Sequence, residues 1–514
     1  MKRLICVLLI GLPVFAQTAT APVMTDRAAA RFLDQATWGP TSAGISELES
    51  EGIANWLTEQ FEATPSDLPD QPILQSDGKT NEDLTPVTAA FYANAVGGTD
   101  QLRQRVAFIL SQLLVVSHVT VHPAYAYPPY WRLFRDNAFG NYRDILKAIT
   151  LSPAMGKYLN VANNNKANPL KDTAANENYA RELMQLFTLG LDVLKTDGSL
   201  ALDANNNPIP TYSQADVTNM AKVMTGWTYP TAPGATAKTN NPEYYFGQMF
   251  AVESEHDTTA KTIFDNIVVP AGQTAEQDLD TVLDALMQQP TMAPFVSKQL
   301  IQHLVTSNPS PAYIARVSQV FSNTKGDMKS LITAILTDSE ARAGDASDAP
   351  VIQSYGHLRE PVLFLTALVR GLNGTVTTSN AMNGRGNQMG EDLFDPPTVF
   401  SYFSPQSRIE SGLLAPEFQI YSTQTASDRA DAVNSALYGT LDSGVTLSLT
   451  PFIQQAGSVS GLLDYIGYAL LHSNMSSSLQ AAATSAANAQ STATAKAQAA
   501  LYTVLTSSEY QVIQ

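Results

Sequence analysis

Hydrophobic residues recur every three or four positions along most of the chain, the spacing that places them on one face of an α-helix. This pattern begins at Asp26 and resumes between Ala275 and Leu336. Between Leu102 and Val116 the apolar residues are dense enough to predict a buried helix. We therefore predict a mostly α protein, built as one large, irregular multi-helix domain.

Four segments interrupt this helical pattern. Residues 63–85 are rich in Pro, Asp and Ser and predict a loop. The turn-rich segment 190–212 predicts a small β-hairpin excursion between helices. Residues 229–272 and 373–392 lack helical spacing and predict long loops, the first of them with short strands.

The two ends of the chain differ from the rest. Residues 1–16 combine Lys2 and Arg3 with a short apolar run that ends at Ala16, the pattern of a secretory signal peptide. We predict a flexible lead at 17–25, a helical domain at 26–475 and an Ala-rich C-terminal helix at 476–514 that docks on the same domain. A low-complexity spacer is the alternative for the Ala-rich segment. We expect an exported protein, periplasmic or extracellular.

Composition narrows the class of partner. The chain has 514 residues and a formal net charge of −17, so we do not expect nucleic acid as a partner. After the signal peptide, no stretch approaches the roughly 18 apolar residues that span a bilayer, so we expect no membrane insertion after cleavage. The single cysteine, Cys6, lies in the signal peptide, which excludes a disulfide scaffold and a thiolate metal cluster.

Familiar catalytic motifs are absent from the sequence, which contains no G-x-x-x-x-G-K-[ST], H-E-x-x-H, G-x-S-x-G or C-x-x-C. These absences argue against nucleotide hydrolases, zinc proteases and serine hydrolases. Covalently bound haem is excluded because C-x-x-C-H is missing as well. His118 and His122 have the spacing of a helical metal pair, but Pro123 disfavours a helix there. Any metal or cofactor is therefore left unassigned.

The segment 176–190 places its polar residues along one face of a predicted helix. At 100° per residue, Glu177, Asn178, Arg181, Glu182 and Gln185 form one continuous polar arc. Glu177 and Arg181 have the i,i+4 spacing of an ion pair. The arc fits either a solvated face or a pocket wall. In a pocket, Glu177 or Glu182 would be a catalytic acid–base group and Arg181 would bind an anionic group.

His256 lies among carboxylates in the irregular segment 229–272. A loop histidine beside Asp257 suits a general base or a hard-metal ligand that Asp257 orients. A solvated loop histidine is the alternative. Further candidates for the pocket are Asn176, Asn178, Trp227 and Lys261.

Two functions of different classes follow from these residues. The first is an extracytoplasmic, hydrolase-like enzyme with a carboxylate/His/Arg pocket. The second is a non-catalytic binding or assembly partner of another secreted protein, which would use the loops at 229–272 and 373–392. The sequence leaves open whether the protein is an enzyme.

Eight stretches, in order over nearly the whole chain, resemble the bacterial family catalogued as domain of unknown function 1800. The stretches are RAAARFLDQATWGPT (27–41), LRQRVAFILSQLLVVS (102–117), FGNYRDILKAITLSPAMGKYL (139–159), NENYARELMQLFTLGL (176–191), DVTNMAKVMTGWTY (216–229), HDTTAK (256–261), LFDPPTVF (393–400) and VLTSSEYQ (504–511). The resemblance implies a secreted, largely helical protein. Such proteins are often encoded beside a secreted family similar to alkaline phosphatases and sulfatases, which suggests a partner.

The same resemblance implies that the helix at 176–191, Trp227 and the His256–Asp257–Lys261 group share a pocket. Two departures from the family pattern stand out. Many members have Gly-Trp after the Pro-Pro segment, where this chain has Ser401-Tyr402-Phe403. Many have Gln before the Leu-Phe-Asp-Pro-Pro run, where this chain has Glu391-Asp392. We expect the polarity of that segment to differ here.

Overall fold

The computed structural model describes residues 24–264, 266–346, 354–472 and 475–514. The predicted signal peptide at 1–16 and most of the predicted lead at 17–25 lie outside the described residues. From Asp26 to Ile513 the described chain folds around one continuous hydrophobic core.

The fold is mostly α, as predicted. The described residues form 21 α-helices: α1 Asp26–Ala36, α2 Ser42–Glu62, α3 Thr85–Gly97, α4 Gln101–Leu113, α5 Tyr127–Asn137, α6 Tyr142–Thr150, α7 Pro153–Tyr158, α8 Asn178–Gln185, α9 Gln214–Val223, α10 Ala275–Met287, α11 Met292–Leu304, α12 Pro311–Thr324, α13 Met328–Thr337, α14 Pro361–Gly371, α15 Met382–Gln388, α16 Thr423–Tyr438, α17 Thr450–Gln455, α18 Val459–Ile466, α19 Ser477–Asn488, α20 Ala493–Leu505 and α21 Ser508–Gln511.

The β structure of the described residues consists of small antiparallel pairs. The strands are β1 Trp227–Thr228, β2 Phe250–Ala251, β3 Lys261–Ile263, β4 Ile267–Val269, β5 His357–Leu358, β6 Thr375–Val376, β7 Val445–Thr446 and β8 Val512–Ile513. They pair as β1–β2, β3–β4, β5–β8 and β6–β7. Four of them lie between residues 227 and 269, so the prediction of short strands in that irregular segment is confirmed.

The predicted hairpin excursion is present at residues 190–212, where it leaves the helical body between α8 and α9. Isolated antiparallel bridges join Asp192 to Pro210, Leu194 to Leu200 and Leu202 to Pro208. The excursion begins at Gly190, whose φ of +73° is the left-handed conformation that glycine adopts without strain. It ends at Ser213, whose side chain forms a capping box with Asp216 at the start of α9.

Helix α4 runs through the middle of the core, as its dense apolar sequence predicts. Its Phe108 packs against Trp38 and Phe91, and Phe91 in turn contacts Trp131 on α5. Arg105, on the same helix, is fully buried. Because a buried cation needs compensation, its surroundings matter for the candidate site described below.

Two segments differ from their sequence-based expectations. Within the predicted loop at 373–392, residues 382–388 form α15, whose Gly386 lies so close to its neighbours that an added Cβ would be 2.7 Å from the Glu391 carbonyl oxygen. Glycine there permits close packing, although it lowers helix propensity. The Ala-rich segment contains two helices, α19 and α20, which pack against each other across a turn at 489–492.

The last strand, β8, returns to the middle of the chain. Val512 and Ile513 pair with Leu358 and His357 of β5. The side chain of Arg359 also donates to the Tyr510 carbonyl, so the C-terminal residues hold the segment that carries His357. Among the described residues, no helix has the length and apolar character needed to cross a membrane.

Candidate functional site

The polar arc of α8 forms as predicted, and its first carboxylate holds two helices together. Glu177 accepts hydrogen bonds from Gln214 at 2.9 Å and from Thr218 at 2.8 Å, both on α9. It also forms the predicted ion pair with Arg181, at 3.2 Å. Hydrogen bonds from Gln214 and Thr218 hold the pKa of Glu177 below its usual value. Glu177 is therefore an ionised carboxylate saturated by protein donors.

The other members of the arc behave differently from Glu177. Glu182 is half-buried, burial raises its pKa, and its Oε2 has no hydrogen-bond partner among the described residues. Asn178 is exposed and donates to the Asn160 side chain at 3.2 Å. The Asn176 backbone N–H donates to the Asn164 side chain at 2.8 Å. Glu182 is thus the one carboxyl of this arc with an oxygen free of protein donors.

His256 lies inside the protein, where protein atoms occupy both of its ring nitrogens. Its exposed fraction is 0 %. Nδ1 lies 3.0 Å from the Thr225 carbonyl oxygen and Nε2 lies 3.1 Å from Oδ2 of Asp278 on α10. Lys261, on β3, places its ammonium 2.5 Å from the same Asp278 oxygen. We call this group, His256, Asp278 and Lys261, the buried triad.

The sequence-based prediction that Asp257 orients His256 is wrong, because Asp278 is the carboxylate that contacts the ring. The Asp257 side chain instead accepts from the backbone N–H and the hydroxyl of Thr259, at 2.9 and 2.5 Å. Lys261 contacts only the backbone carbonyl of Asp257. The Asp257 carboxylate therefore stabilises the local turn, and adjacency in the sequence did not identify the true partner of His256.

Trp227 and the preceding Gly226 explain why the buried triad is enclosed. Gly226 has a φ of +91°, and a Cβ there would lie 3.0 Å from the Cβ of His256. Trp227 is 4 % exposed and begins β1. Asn164 links this turn to α8, because its carbonyl accepts from the Gly226 N–H at 2.8 Å while its side chain accepts from Asn176. The predicted residues thus lie in neighbouring segments, but His256 faces inward.

A cavity of about 540 Å³ lies beyond the other end of α8. Its walls are the 190–212 excursion, one face of α11 and the loop at 400–408. The residues that line it are Gln185, Leu186, Leu189, Gly190, Leu191, Asp192, Leu194, Gly198, Ser199, Leu200, Phe295, Lys298, Gln299, Gln302, Phe400, Ser404, Pro405, Gln406 and Arg408. The lining therefore combines aromatic and other apolar side chains with amides and two cations.

A smaller cavity of about 40 Å³, which we call the inner cavity, lies against the larger one. The two share wall residues, among them Leu186, Gln299 and Gln302. The smaller cavity adds Gln112, His303, Ser401 and Glu417 to the polar lining. Since one water needs roughly 10–15 Å³ of such space, the smaller cavity is large enough to hold a water molecule.

Glu417 connects this inner cavity to a histidine. Its Oε1 lies 3.2 Å from Nδ1 of His357, and both side chains are buried. A carboxylate oxygen can only accept, so the contact requires the Nδ1–H tautomer or the protonated ring of His357. Glu417 Oε2 and His357 Nε2 have no hydrogen-bond partner within the described residues. We call Glu417 and His357 the Glu–His pair.

Two further buried carboxyls lie beside the Glu–His pair. Gln112 donates to Glu360 at 2.8 Å and to Glu391 at 3.3 Å. Burial is the main cause that raises the pKa of Glu391 well above its usual value, and the adjacent Glu360 raises it further. Burial also raises the pKa of Glu360, against the effect of Arg105, which lies 3.9 Å away. Glu360, Glu391 and Arg105 form what we call the carboxyl cluster.

Three polar atoms without hydrogen-bond partners belong to residues that line the inner cavity. Within the described part of the chain they are Oε1 of Gln112, Oγ of Ser401 and Oε2 of Glu417, and each of these side chains is at least nine-tenths buried. His303, which also lines the cavity, has its pKa lowered to about 3 by burial and by the charge of Arg105, so it is neutral at physiological pH. Buried polar atoms left unpaired are unusual and indicate a site that binds something.

Comparison with known protein families now places the chain. A model of one family, described as a protein of unknown function (DUF1800), matches residues 31–512. The chain belongs to the DUF1800 family. No curated protein and no solved structure matches it. The DUF1800 match covers both the buried triad and the Glu–His pair.

In this DUF1800 protein the sequence identified one group of polar residues and missed the other. The missed group consists of Glu360, Glu391 and Glu417, and none of these residues belongs to a recognisable sequence motif. They lie near one another because β5, α14 and the 3₁₀ turn at 416–420 fold together. The available signal was the departure from the family pattern at Glu391-Asp392 and Ser401. Both departures lie at the inner cavity or the carboxyl cluster beside it.

Two groups of potential metal ligands lie among the described residues of this DUF1800 protein. One group of three carboxylates, Glu47, Glu51 and Glu59 on α2, has ligand atoms within 4.8 Å of one another. Glu47 and Glu59 are exposed. The rings of His118 and His122 lie 5.9 Å apart outside any helix, which matches the effect expected of Pro123. Neither group has the buried, converging donors of a metal centre.

The raised pKa of Glu391 predicts a stability difference that depends on pH. Glu391→Gln is expected to raise the free energy of unfolding at pH 8 by on the order of 1 kcal/mol. The glutamine oxygen still accepts from the Val362 N–H, which lies 2.8 Å from Glu391 Oε2, and its amide can donate to Glu360. Denaturant unfolding between pH 4 and 8 measures the difference.

The sign of this effect follows from proton linkage. Because the pKa of Glu391 is higher in the folded than in the unfolded chain, the folded state holds the extra proton. The wild-type stability from this group is complete below the unfolded value near 4.5 and is lost as pH rises. The two proteins should converge in acid. An exposed control, Glu410→Gln, should match wild type throughout, whereas a Glu391→Gln protein less stable than wild type at pH 8 contradicts the assignment.

Proposed function

We propose that this protein is an exported hydrolytic enzyme whose acid–base group is Glu417. One observation carries the proposal: Glu417 is buried, receives a hydrogen bond from His357 on one oxygen, and has its other oxygen without a protein partner at the wall of a water-sized cavity. Export rests on the signal-peptide pattern of residues 1–16.

The chemistry that this arrangement supports is attack by water. The carboxylate of Glu417 takes a proton from a water molecule in the inner cavity, and the water oxygen bonds to the electrophilic atom of the substrate. The bond to the leaving group then breaks, and Glu417 returns the proton to that group. His357 orients the carboxylate through the 3.2 Å contact.

The remaining polar groups of the inner cavity bind and orient the substrate in this proposal. Gln112 and Ser401 each have an oxygen without a partner there. His303 is neutral and can donate one hydrogen bond. The larger cavity would hold the rest of the substrate, with the amides of Gln299 and Gln302 as hydrogen-bonding partners.

The predicted catalytic residues His256, Asp257, Glu177, Glu182 and Arg181 receive other roles in this proposal. His256 is fully enclosed and Glu177 is saturated by donors, so we assign both to structural support. Asp257 caps a turn, and Arg181 pairs with Glu177. Glu182 lies near the start of the large cavity's wall at Gln185 and remains a candidate for contacting substrate.

Substitution of Glu417 tests the proposal. The purified protein is assayed against chromogenic esters, phosphoesters, glycosides and peptide anilides. For the class that it cleaves, Glu417→Gln is expected to lower kcat/KM by about 10²–10⁴-fold, the usual contribution of a general base. Glu410→Gln, an exposed change of the same chemistry nearby, should leave kcat/KM unchanged. Thermal unfolding confirms that each variant is folded.

Two outcomes would count against hydrolysis at Glu417. A folded Glu417→Gln variant with the activity of wild type would remove this residue from the mechanism. Failure of the wild-type protein to cleave any of the substrate classes, together with a stable partner recovered from its own envelope, would favour the non-catalytic alternative of an assembly partner for another secreted protein.

A further inference from the structure

We propose that Lys298 and Arg408 form a subsite for an anionic oxyacid group at the outer part of the large cavity. The substrate would then be an elongated, hydrogen-bonding molecule with a carboxylate or phosphate at one end. The subsite rests on the cavity itself, and its place in catalysis rests on the function proposed for Glu417.

Lys298 lies on the face of α11 that lines the cavity. Phe295, Lys298, Gln299 and Gln302 occupy positions i, i+3, i+4 and i+7 of that helix, so they form one stripe. Lys298 is half-buried in the wall of the cavity. Its position is therefore set by a rigid helix rather than by a mobile loop.

Among the described residues, Lys298 is half-buried and has no anionic partner, whereas three other half-buried or buried lysines have one. Lys147, Lys157 and Lys261 each contact a carboxylate: Asp280, Glu243 and Asp278 respectively. Within the described part of the chain, Lys298 makes no hydrogen bond and no ion pair. A partly desolvated ammonium without a counter-charge is unfavourable, and a bound anion would supply that charge.

Arg408 brings a second positive charge to the same cavity. Arg408 is exposed, and one of its guanidinium nitrogens donates to the Gly412 carbonyl at 2.6 Å. Its other N–H groups are free of protein carboxylates in the described chain. Burial lowers the pKa of Lys298, and the positive charge of Arg408 lowers it further. Both cations line the same cavity, and neither forms an ion pair within the described part of the chain.

One carboxylate, Asp192, also lines the cavity and could in principle neutralise them. Among the described residues, no oxygen of Asp192 lies within 4.0 Å of a nitrogen of Lys298 or Arg408. Asp192 belongs to the excursion on the facing wall, where its backbone forms the bridge to Pro210. It therefore leaves the charge of the two cations available to a ligand.

The positions of the polar groups predict which end of the substrate carries the negative charge. The two cations lie on the large cavity, and Glu417 lies on the inner cavity beside it. Gln299 and Gln302 line both cavities and so lie between the two ends. An anionic group bound by Lys298 and Arg408 would place a neutral, hydrogen-bonding body along these amides and the bond to be cleaved near Glu417.

Calorimetric titration with three sugars tests the subsite. Glucuronate and glucose 6-phosphate are the anionic probes, and glucose is the neutral probe of nearly the same shape. We expect at least one anionic sugar to bind about tenfold or more tightly than glucose, as charge-assisted hydrogen bonds predict. The order of the two anionic sugars shows whether a carboxylate or a phosphate fits better.

Matched variants assign the binding to these two residues. Lys298→Gln and Arg408→Gln should each weaken binding of the anionic sugar, and the double variant should bind it no better than glucose. Lys195→Gln, an exposed change on the excursion outside the cavity lining, should leave binding intact. Equal binding of all three sugars by wild type, or undiminished anion binding by the double variant, would overturn the subsite.

Failure of the subsite and failure of the proposed function give different results. Glu417→Gln should abolish hydrolysis and keep the preference for anionic sugars. The Lys298→Gln/Arg408→Gln double variant should lose that preference. Because Lys298 has no protein partner, its replacement should not lower the unfolding temperature, so lost binding cannot be attributed to unfolding.

Discussion

Replacing Asp278 by asparagine is expected to lower the free energy of unfolding by about 3–5 kcal/mol. The change leaves the Lys261 ammonium without its carboxylate at a site where Lys261 is 2 % exposed. It also weakens the contact between Nε2 of His256 and Asp278. Breaking a buried ion pair on one side is costly because the remaining charge stays desolvated. Equilibrium unfolding in urea measures the loss.

Asp257→Asn is the matched control for this prediction. Asp257 is not fully buried, and its carboxylate bonds only to Thr259 within its own turn. The control should cost no more than about 1 kcal/mol. The double variant Lys261→Met/Asp278→Leu should recover much of the stability, since it removes both charges. Equal losses for Asp278→Asn and Asp257→Asn would show that the buried triad does not stabilise this region.

The second large effect is expected for Arg105→Met, at about 3–5 kcal/mol of unfolding free energy at pH 8. Arg105 is fully buried beside Glu360, and its guanidinium also donates to the His303 carbonyl at 3.0 Å. Without Arg105, the two carboxyls of the carboxyl cluster lose the cation that lies 3.9 Å from Glu360. The pKa of Glu360, which Arg105 lowers, would rise further.

This loss should depend on pH in a defined direction. A raised folded-state pKa gives stability that is complete below the unfolded value near 4.5 and is lost as pH rises. The difference between Arg105→Met and wild type should therefore shrink between pH 8 and pH 5. Arg103→Met is the control on the same helix, because Arg103 donates to the carbonyls of Arg135 and Phe61. A loss for Arg105→Met that is constant over this pH range would contradict the carboxyl cluster.

The helical architecture was predictable wherever one face of a helix is apolar and the other is polar. Helices α10 to α13 satisfy this condition, and they occupy the region from 275 to 337 where the pattern predicts them. Helix α15 was not predictable, because its sequence is rich in Asn and Gly. Tertiary packing stabilises it: Met382 and Gly386 are buried, and Asn380 accepts from the Met382 N–H.

The candidate site shows the limit of local patterns more sharply. The Glu177–Arg181 pair was predictable, since the two residues are one helical turn apart. The contact of His256 with Asp278 was not, because 22 residues separate them and Asp257 is adjacent in sequence. Gln112 and Glu360 are 248 positions apart. Such long-range contacts depend on how helices pack, which periodicity does not encode.

Ser401 connects one departure from the family pattern to a physical requirement. Its φ is +66°, in the left-handed region where glycine is favoured. The resemblance to the family implies Gly-Trp in this segment of many members, and glycine would meet that backbone requirement without strain. In this chain the serine backbone is strained in that conformation, and the serine side chain adds a hydroxyl to the lining of the inner cavity.

The pairing of β8 with β5 determines when, during export and folding, the Glu–His pair can form. In the described part of the chain, His357 and Leu358 pair with Ile513 and Val512, which come much later in the sequence. If the chain crosses a membrane unfolded with its N-terminus leading, Val512 and Ile513 cross after the rest of the described domain. The Glu–His pair would then be assembled only after the residues before them have crossed, so that no competent site forms in the compartment where the chain is synthesised. For the same reason, a purification tag fused after Gln514 would adjoin this strand, and a tag before the helical domain is the safer choice.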